Sequence, residues 1–278
     1  MATNQIRVDM RSPGYWTATF DHPPINLIDP ETIYELDALV NKLETDPDLR
    51  VVVFNSANPE FYLAHYDVLV DKAVTASMKP GRTGMHPWLD TLVRLSRAPV
   101  VSIASIRGRA RGAGSEFVLA CDIRFASREK AVLGQFEVGM GAVPGGGPMA
   151  RLPRLVGRGR ALEILLGAND FSGELAERYG YVNRAIPDDE LDGFVDAFAQ
   201  RLAQFDKRAI AETKGFVDQT TLPADAEFPP ALTAFFNSVQ RPETGKRAKA
   251  LLQMGLQQRS EAELRLGEYV AQSKLGSQ

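Results

Sequence analysis

Two glutamates stand in surroundings that suit proton transfer. Glu116 closes the stretch Gly108-Arg109-Ala110-Arg111-Gly112-Ala113-Gly114-Ser115-Glu116, which leads into the apolar run Phe117–Cys121. Small residues let a ligand approach the backbone. A helix beginning near Gly112 or Ala113 would aim its unpaired N–H groups and positive dipole end at a developing negative charge, with Glu116 in its first turn. The same motif also reads as glycines packing a helix tightly on a sheet, with Glu116 as an exposed cap. Glu137 lies in Leu133-Gly134-Gln135-Phe136-Glu137-Val138-Gly139, a small and apolar setting just before Pro144-Gly145-Gly146-Gly147-Pro148. Desolvation there would raise a carboxyl's proton affinity into the range a general acid needs. Taken singly, Glu137 also reads as a solvated loop residue, and spacing does not prove that the two acids meet.

The elements that must hold these residues read as α/β. Ile6–Met10 and Tyr15–Phe20 alternate apolar and polar types around Ser12-Pro13-Gly14, as two strands joined by a turn do. Asp29-Pro30 starts a helix whose Ile33, Leu36, Val40 and Leu43 share one face, and it should end before Asp46-Pro47. Val51–Phe54 and Val100–Ile106 are β-branched runs suited to strands buried on both faces of a parallel sheet, with a helix carrying Trp88, Leu92 and Leu95 between them. Strands alternating with helices imply a layered core. From Glu190 onward the pattern is helix after helix, broken at Pro223, Pro229-Pro230 and Pro242. We place the division near Pro187: residues 1–187 as the α/β core, 188–278 as a helical segment serving as lid or oligomerisation surface. Asp71 to Gly84 is weakly patterned, a loop or irregular helix.

Composition narrows the function classes. With 278 residues and 44% hydrophobic content the chain can bury one substantial core. A formal charge of -3 leaves no cationic excess for a nucleic-acid backbone or an anionic membrane. Cys121 is the only cysteine, and His22, His65 and His86 lack metal-ligand spacing, so neither a disulfide nor a metal is expected. Met1–Met10 lacks a basic stretch followed by an apolar run, and no apolar segment approaches the roughly 18 residues of a membrane span. A cytoplasmic protein is the expectation. Gly112 and Gly114 lack the third glycine of a dinucleotide fingerprint, and the later glycine cluster lacks the Gly-Lys-Ser/Thr of a phosphate loop.

Residues Asn26 to Ile186 resemble the enoyl-CoA hydratase/isomerase (crotonase) superfamily in an ordered series of motifs. Pro23-Pro24-Ile25-Asn26 is similar to the family's early Pro-x-x-Asn. Ala64-His65-Tyr66-Asp67 lies where an Ala-Gly-Ala-Asp loop is usual, and Pro99 through Gly108 resembles the strand entering the glycine-rich turn. Cys121-Asp122-Ile123-Arg124, Gln135-Phe136-Glu137, Pro144-Gly145-Gly146-Gly147 and Gly180-Tyr181-Val182 follow in family order. The resemblance implies a crotonase-like spiral of ββα units with an all-helical C-terminal segment. It implies a hydro-lyase adding water to a 2-enoyl thioester through a stabilised enolate. An isomerase, a thioester hydrolase or a C–C bond hydrolase of the same superfamily is the alternative. Carried over by position, the oxyanion-hole donors are the backbone N–H groups of Ala64 and Ala113, and the catalytic carboxylates are Glu116 and Glu137. Ala64, His65, Tyr66, Asp67 and Ala113 would line the substrate, with coenzyme A as part of that substrate and no prosthetic group. The resemblance also implies homotrimers, often paired into hexamers.

Some positions depart from the pattern. His65 replaces a glycine; we expect it to serve through its backbone with its side chain outside the reaction centre, an extra proton carrier being the alternative. Arg109 and Arg111 flank the glycine-rich turn, and surface salt links are expected of them. Phe235, Phe236, Lys246 and Lys249 are stand-ins for the late Phe and Lys that hold the nucleotide end of coenzyme A in relatives. Leu251, Leu252 and Leu256 would bury apolar surface within the chain or against another protomer.

Overall fold

The computed structural model describes residues 4–273; residues 1–3 and 274–278, the outer ends of the two segments expected above, lie outside it. In chain order the strands are β1 (Ile6–Ser12), β2 (Tyr15–Phe20), β3 (Val51–Ser56), β4 (Phe61–Leu63), β5 (Val101–Ile106), β6 (Arg109–Arg111), β7 (Ile123–Ser127), β8 (Val132–Gly134), β9 (Phe171–Ser172) and β10 (Arg184–Ile186). They form a six-stranded sheet of order β1-β2-β3-β5-β7-β10 and a four-stranded sheet of order β4-β6-β8-β9. The opening hairpin is antiparallel, and from β2 onward the large sheet is parallel. Three-residue strands such as β6 and β8 are too short to show a period, which is why the second sheet has no signature in the residue pattern.

The helices through the first part of the chain are α1 (Pro30–Thr45), α2 (Lys72–Ala76), α3 (Pro87–Arg97), α4 (Ala113–Ala120), α5 (Pro148–Val156), α6 (Arg158–Gly167) and α7 (Gly173–Tyr179). After β10 only helices follow: α8 (Leu191–Ala203), α9 (Lys207–Thr221), α10 (Pro229–Val239), α11 (Pro242–Met254), α12 (Glu261–Leu264) and α13 (Leu266–Gln272). Asp29 caps α1 by accepting from the Thr32 N–H, with Pro30 at the first helical position, so the helix starts where its capping chemistry dictates. Pro229 and Pro242 likewise open α10 and α11 rather than interrupt them.

Period-two alternation in β3 divides its side chains between two cores. Val52 and Phe54 face the main core, whereas Val51 and Val53 pack with Leu191, Val195 and Ala199 of α8. The Phe117 ring of α4 meets those of Phe20 and Phe54 edge-on at 5.2 and 5.0 Å. Each such ring contributes roughly 1.5–3 kcal/mol by leaving water, and together they fix α4, every residue of which is buried, against the large sheet. The helical tail is not a separate body: Leu251, Leu256, Leu266 and Val270 share a core with Phe136, Met140 and Ala168. Leu251 and Leu256 are thus covered by their own chain. The segment around Asp71 is the five-residue α2 followed by irregular backbone.

Candidate active site

The glycine-rich turn forms because β6 must end and α4 begin within one residue. Gly112 does this with φ 49° and ψ −122°, a conformation costly for any residue with a Cβ. A Cβ there would also lie 2.7 Å from Glu137 Oε1. The turn therefore brings the start of α4 and the second carboxylate together. Glu116 and Glu137 are both buried and both line one cavity of about 310 Å³, so the reading of Glu116 as an exposed cap and of Glu137 as a solvated loop residue does not hold.

Their surroundings are unequal. Glu116 Oε2 accepts from the Trp88 indole N–H at 2.9 Å and Oε1 from the Gly146 backbone N–H at 2.6 Å. Glu137 Oε2 is buried with no partner among the described residues. Burial pushes both carboxyls up, but for Glu116 the Trp88, Gly146 and Gly145 donors and the Arg151 charge oppose it. For Glu137, burial and then the Glu116 charge act in the same direction, to about 8. Two adjacent buried acids cannot both ionise cheaply. The proton belongs on Glu137, and the negative charge on Glu116 among its donors. A base and an acid stand ready on one cavity.

The backbone donors differ from expectation at one position. Ala113 opens α4 and lines the cavity, so its N–H has no intrahelical partner. The Ala64 N–H instead donates to the Asn26 carbonyl at 3.1 Å, and Ala64 packs with Ile25 and Phe61 away from the cavity. Its amide is spent, and Ala64 is withdrawn as an oxyanion donor. The geometry favours Tyr66. The His65 carbonyl accepts from the Ile28 N–H at 2.9 Å, and a trans peptide points its N–H opposite its carbonyl. The Tyr66 N–H therefore faces away from Ile28, and it has no partner among the described residues. Tyr66 lines the cavity with His65 and Asp67.

His65 is buried, with its ring 5.2 Å from that of Phe136. Both its nitrogens are engaged away from the cavity, Nδ1 with the Tyr66 carbonyl at 2.8 Å and Nε2 with Glu263 at 3.2 Å. Asp67 accepts from Leu69 and from the Gln257 side chain, which makes it a loop anchor. The arginines form internal links rather than surface ones. Arg111, fully buried, grips Asp170 through two hydrogen bonds of 2.6 and 2.7 Å, and Arg109 donates to the Leu264 and Glu60 carbonyls. Neither is free for an anionic ligand.

The cavity's far wall is the helical tail: Leu232, Phe235, Phe236 and Val239 of α10, and Ala248, Lys249 and Leu252 of α11. Phe235 and Phe236 thus face the same space as the carboxylates. Residue patterns gave no hint of Trp88's role as a donor to Glu116, of the Gly146 amide, or of Glu263 and Gln257, since each acts across a long sequence separation. Among the described residues no group of three or more His, Cys, Asp or Glu is placed to hold a metal ion, and no helix is long and apolar enough to cross a membrane.

Over residues 13–258 the sequence matches the enoyl-CoA hydratase/isomerase family, and the chain belongs to that family. It is similar to a crystal structure from Streptomyces avermitilis, described provisionally as an enoyl-CoA hydratase, at 43% sequence identity and a TM-score of 0.90 over 97% of each chain. The short-chain-enoyl-CoA hydratase of Clostridium acetobutylicum is 32% identical over 180 residues, 64% of this chain and 67% of that one. The crotonyl-CoA hydratase of Syntrophomonas wolfei is 29% identical over 195 residues, 70% and 74% of the two chains. The chain has the crotonase-type α/β fold with C-terminal helices, and it is an enzyme of this family with hydratase-like character.

Proposed function

We propose that the protein is a hydro-lyase that adds water across the double bond of a 2-enoyl-CoA thioester. The observation that carries this reading is the pair of buried glutamates with opposite surroundings on one cavity, beside two unpaired backbone N–H groups. The thioester oxygen would accept from the Tyr66 and Ala113 N–H groups. Ionised Glu116 takes a proton from water as the oxygen attacks the β-carbon, and the charge moves onto the thioester oxygen as an enolate. Protonated Glu137 then gives its proton to the α-carbon. The cycle closes when Glu116 returns a proton to Glu137, so atoms and charge balance. Each backbone donor is worth roughly 3 kcal/mol of transition-state stabilisation, and each proton transfer about 10²–10⁴-fold.

The names of the relatives support the coenzyme A thioester, and the apolar wall of Phe136, Leu232, Phe235 and Leu252 suits an acyl chain. We place the acyl group, rather than the nucleotide end, against Phe235 and Phe236. A homotrimer or hexamer is part of the proposal, since α9 buries no residue and leaves Phe216 71% and Val217 54% exposed. The test of function is loss of the conjugated double bond in a panel of 2-enoyl-CoA thioesters, with Glu116→Gln assayed beside the parent. Turnover that vanishes in the variant supports hydration through Glu116, and no turnover across the panel overturns the assignment.

A further inference from the structure

The first loop around the cavity is tied to the end of the chain by a buried ion pair. His65 Nδ1 lies 2.8 Å from the Tyr66 carbonyl, which only accepts, so this nitrogen carries a proton. Nε2 lies 3.2 Å from Glu263 Oε2, which also accepts from the Gln257 N–H at 2.8 Å. Glu263 Oε1 lies 4.0 Å from the Arg111 guanidinium, and both neighbours favour an ionised Glu263. Facing a carboxylate, Nε2 must carry a proton too. Both nitrogens of the ring then donate, and the ring is an imidazolium.

The consequence reaches the site. The Tyr66 N–H is aimed by the peptide before it and the peptide after it. The first is held by Ile28 through the His65 carbonyl, and the second at two points, by the Ile28 carbonyl through the Asp67 N–H and by the His65 ring through the Tyr66 carbonyl. We propose that His65 is a positioning residue, held as an imidazolium by Glu263 so that it fixes the Tyr66 backbone whose N–H polarises the substrate carbonyl. This rests on the hydratase reading for its catalytic consequence but not for the protonation state. Among the groups around the ring, Glu263 on α12 opposes Arg111 on β6, itself neutralised by Asp170, while Glu137 lies across Gly112 with its proton on. Burial alone would lower the His65 pKa, but Glu263 and the Tyr66 carbonyl outweigh it and the Arg111 charge, so the pKa is raised. Glu263, which burial would raise, is lowered instead by the His65 charge and the Gln257 amide.

The experiment is an NMR titration of the full chain, wild type and Glu263→Gln, following the His65 ring and the Tyr66 amide, with kcat and KM for a 2-enoyl-CoA measured over the same pH range. Glutamine can accept from the same two donors without the charge. In the wild type the His65 ring should stay doubly protonated above the ordinary histidine value of about 6.5. In Glu263→Gln it should titrate below that value, the Tyr66 amide shift should follow it, and kcat should fall about tenfold between about pH 6 and about pH 8 relative to wild type, with little change in KM. Loss of the Glu137 proton gives both proteins an alkaline limb, so only their difference is read. Should Glu263→Gln not fold, His65→Asn keeps a donor to the Tyr66 carbonyl without a charge; its kcat should be lower and its ratio to wild type highest at high pH. A neutral His65 near pH 7, or a Tyr66 amide indifferent to the ring, overturns the proposal. So does an equal loss of kcat at every pH in the variants. A protein that hydrates no enoyl-CoA yet shows the ring and amide titrations would instead refute the hydratase reading alone.

Discussion

Replacing Trp88 with phenylalanine removes one donor from the Glu116 carboxylate while leaving an aromatic wall in the cavity. Glu116 is 4% exposed, and its negative charge is sustained by the Trp88 N–H at 2.9 Å, the Gly146 N–H at 2.6 Å and lesser help from Gly145 and Arg151. A hydrogen bond to a buried charged group is worth about 1.5–3 kcal/mol. Its loss disfavours the ionised form by that amount and leaves the protonated form almost untouched. On the acid side of the pH profile, where the ionised fraction of Glu116 limits the rate, Trp88→Phe should lower kcat/KM by one to two powers of ten. Well above that limb the base is ionised in both proteins and the rates should converge. The assay is kcat/KM for a 2-enoyl-CoA from about pH 5 to about pH 8. An equal loss at every pH would mean that the indole acts by filling space, and an unmoved acid limb would mean that Glu116 is not the base.

Glu137 should act in its protonated form, so activity should fall as pH rises through about 8, and Glu137→Gln should cut kcat by about 10²–10⁴. The same buried acid makes a stability prediction: its raised pKa means that the folded state holds a proton the unfolded state has lost, so stability falls as pH rises from the ordinary carboxyl range toward 8. Glu137→Gln should therefore unfold at a higher temperature than wild type near pH 8 and show little gain near pH 4; an unchanged Tm near pH 8 counts against the assignment. Gly146→Ala would place a Cβ 1.9 Å from Glu116 Oε2 and 2.5 Å from Trp88 Nε1, so kcat should drop at least about tenfold while circular dichroism shows the fold kept. Ala113→Pro deletes the N–H at the first position of α4, where proline suits the backbone; kcat should fall about 10²–10³-fold with Tm near wild type, and undiminished turnover would show that this amide does not touch the reacting oxygen.

What could be read from the residues was whatever local rules decide. Asp29-Pro30 fixes the start of α1, the β-branched runs mark β3 and β5, and the glycines before Glu116 place it in the first turn of a helix. The meeting of Glu116 with Glu137 was not readable from spacing, because it depends on how β6 lies beside β8 in a sheet of two- and three-residue strands. The free amide in this loop lies two residues beyond Ala64, the donor that the resemblance implied, for a related reason: which amide is free is decided by Asn26 and Ile28 from another part of the chain. His65 was expected to matter through its backbone, and its nitrogens do turn from the cavity. Its partner Glu263 is 198 residues away, and no local pattern joins the two. The tail's contribution was hidden likewise, since an amphipathic helix such as α10 states that one face is buried but not against what.

The most direct test of the account is the fate of solvent oxygen when a 2-enoyl-CoA is incubated with the protein in oxygen-18 water and the products are weighed by mass spectrometry. Hydration through Glu116 and Glu137 predicts one heavy oxygen in an intact 3-hydroxyacyl thioester, lost in Glu116→Gln. A shifted double bond without label, or free acid carrying the label in its carboxylate, would contradict it and make the site an isomerase or a thioester hydrolase.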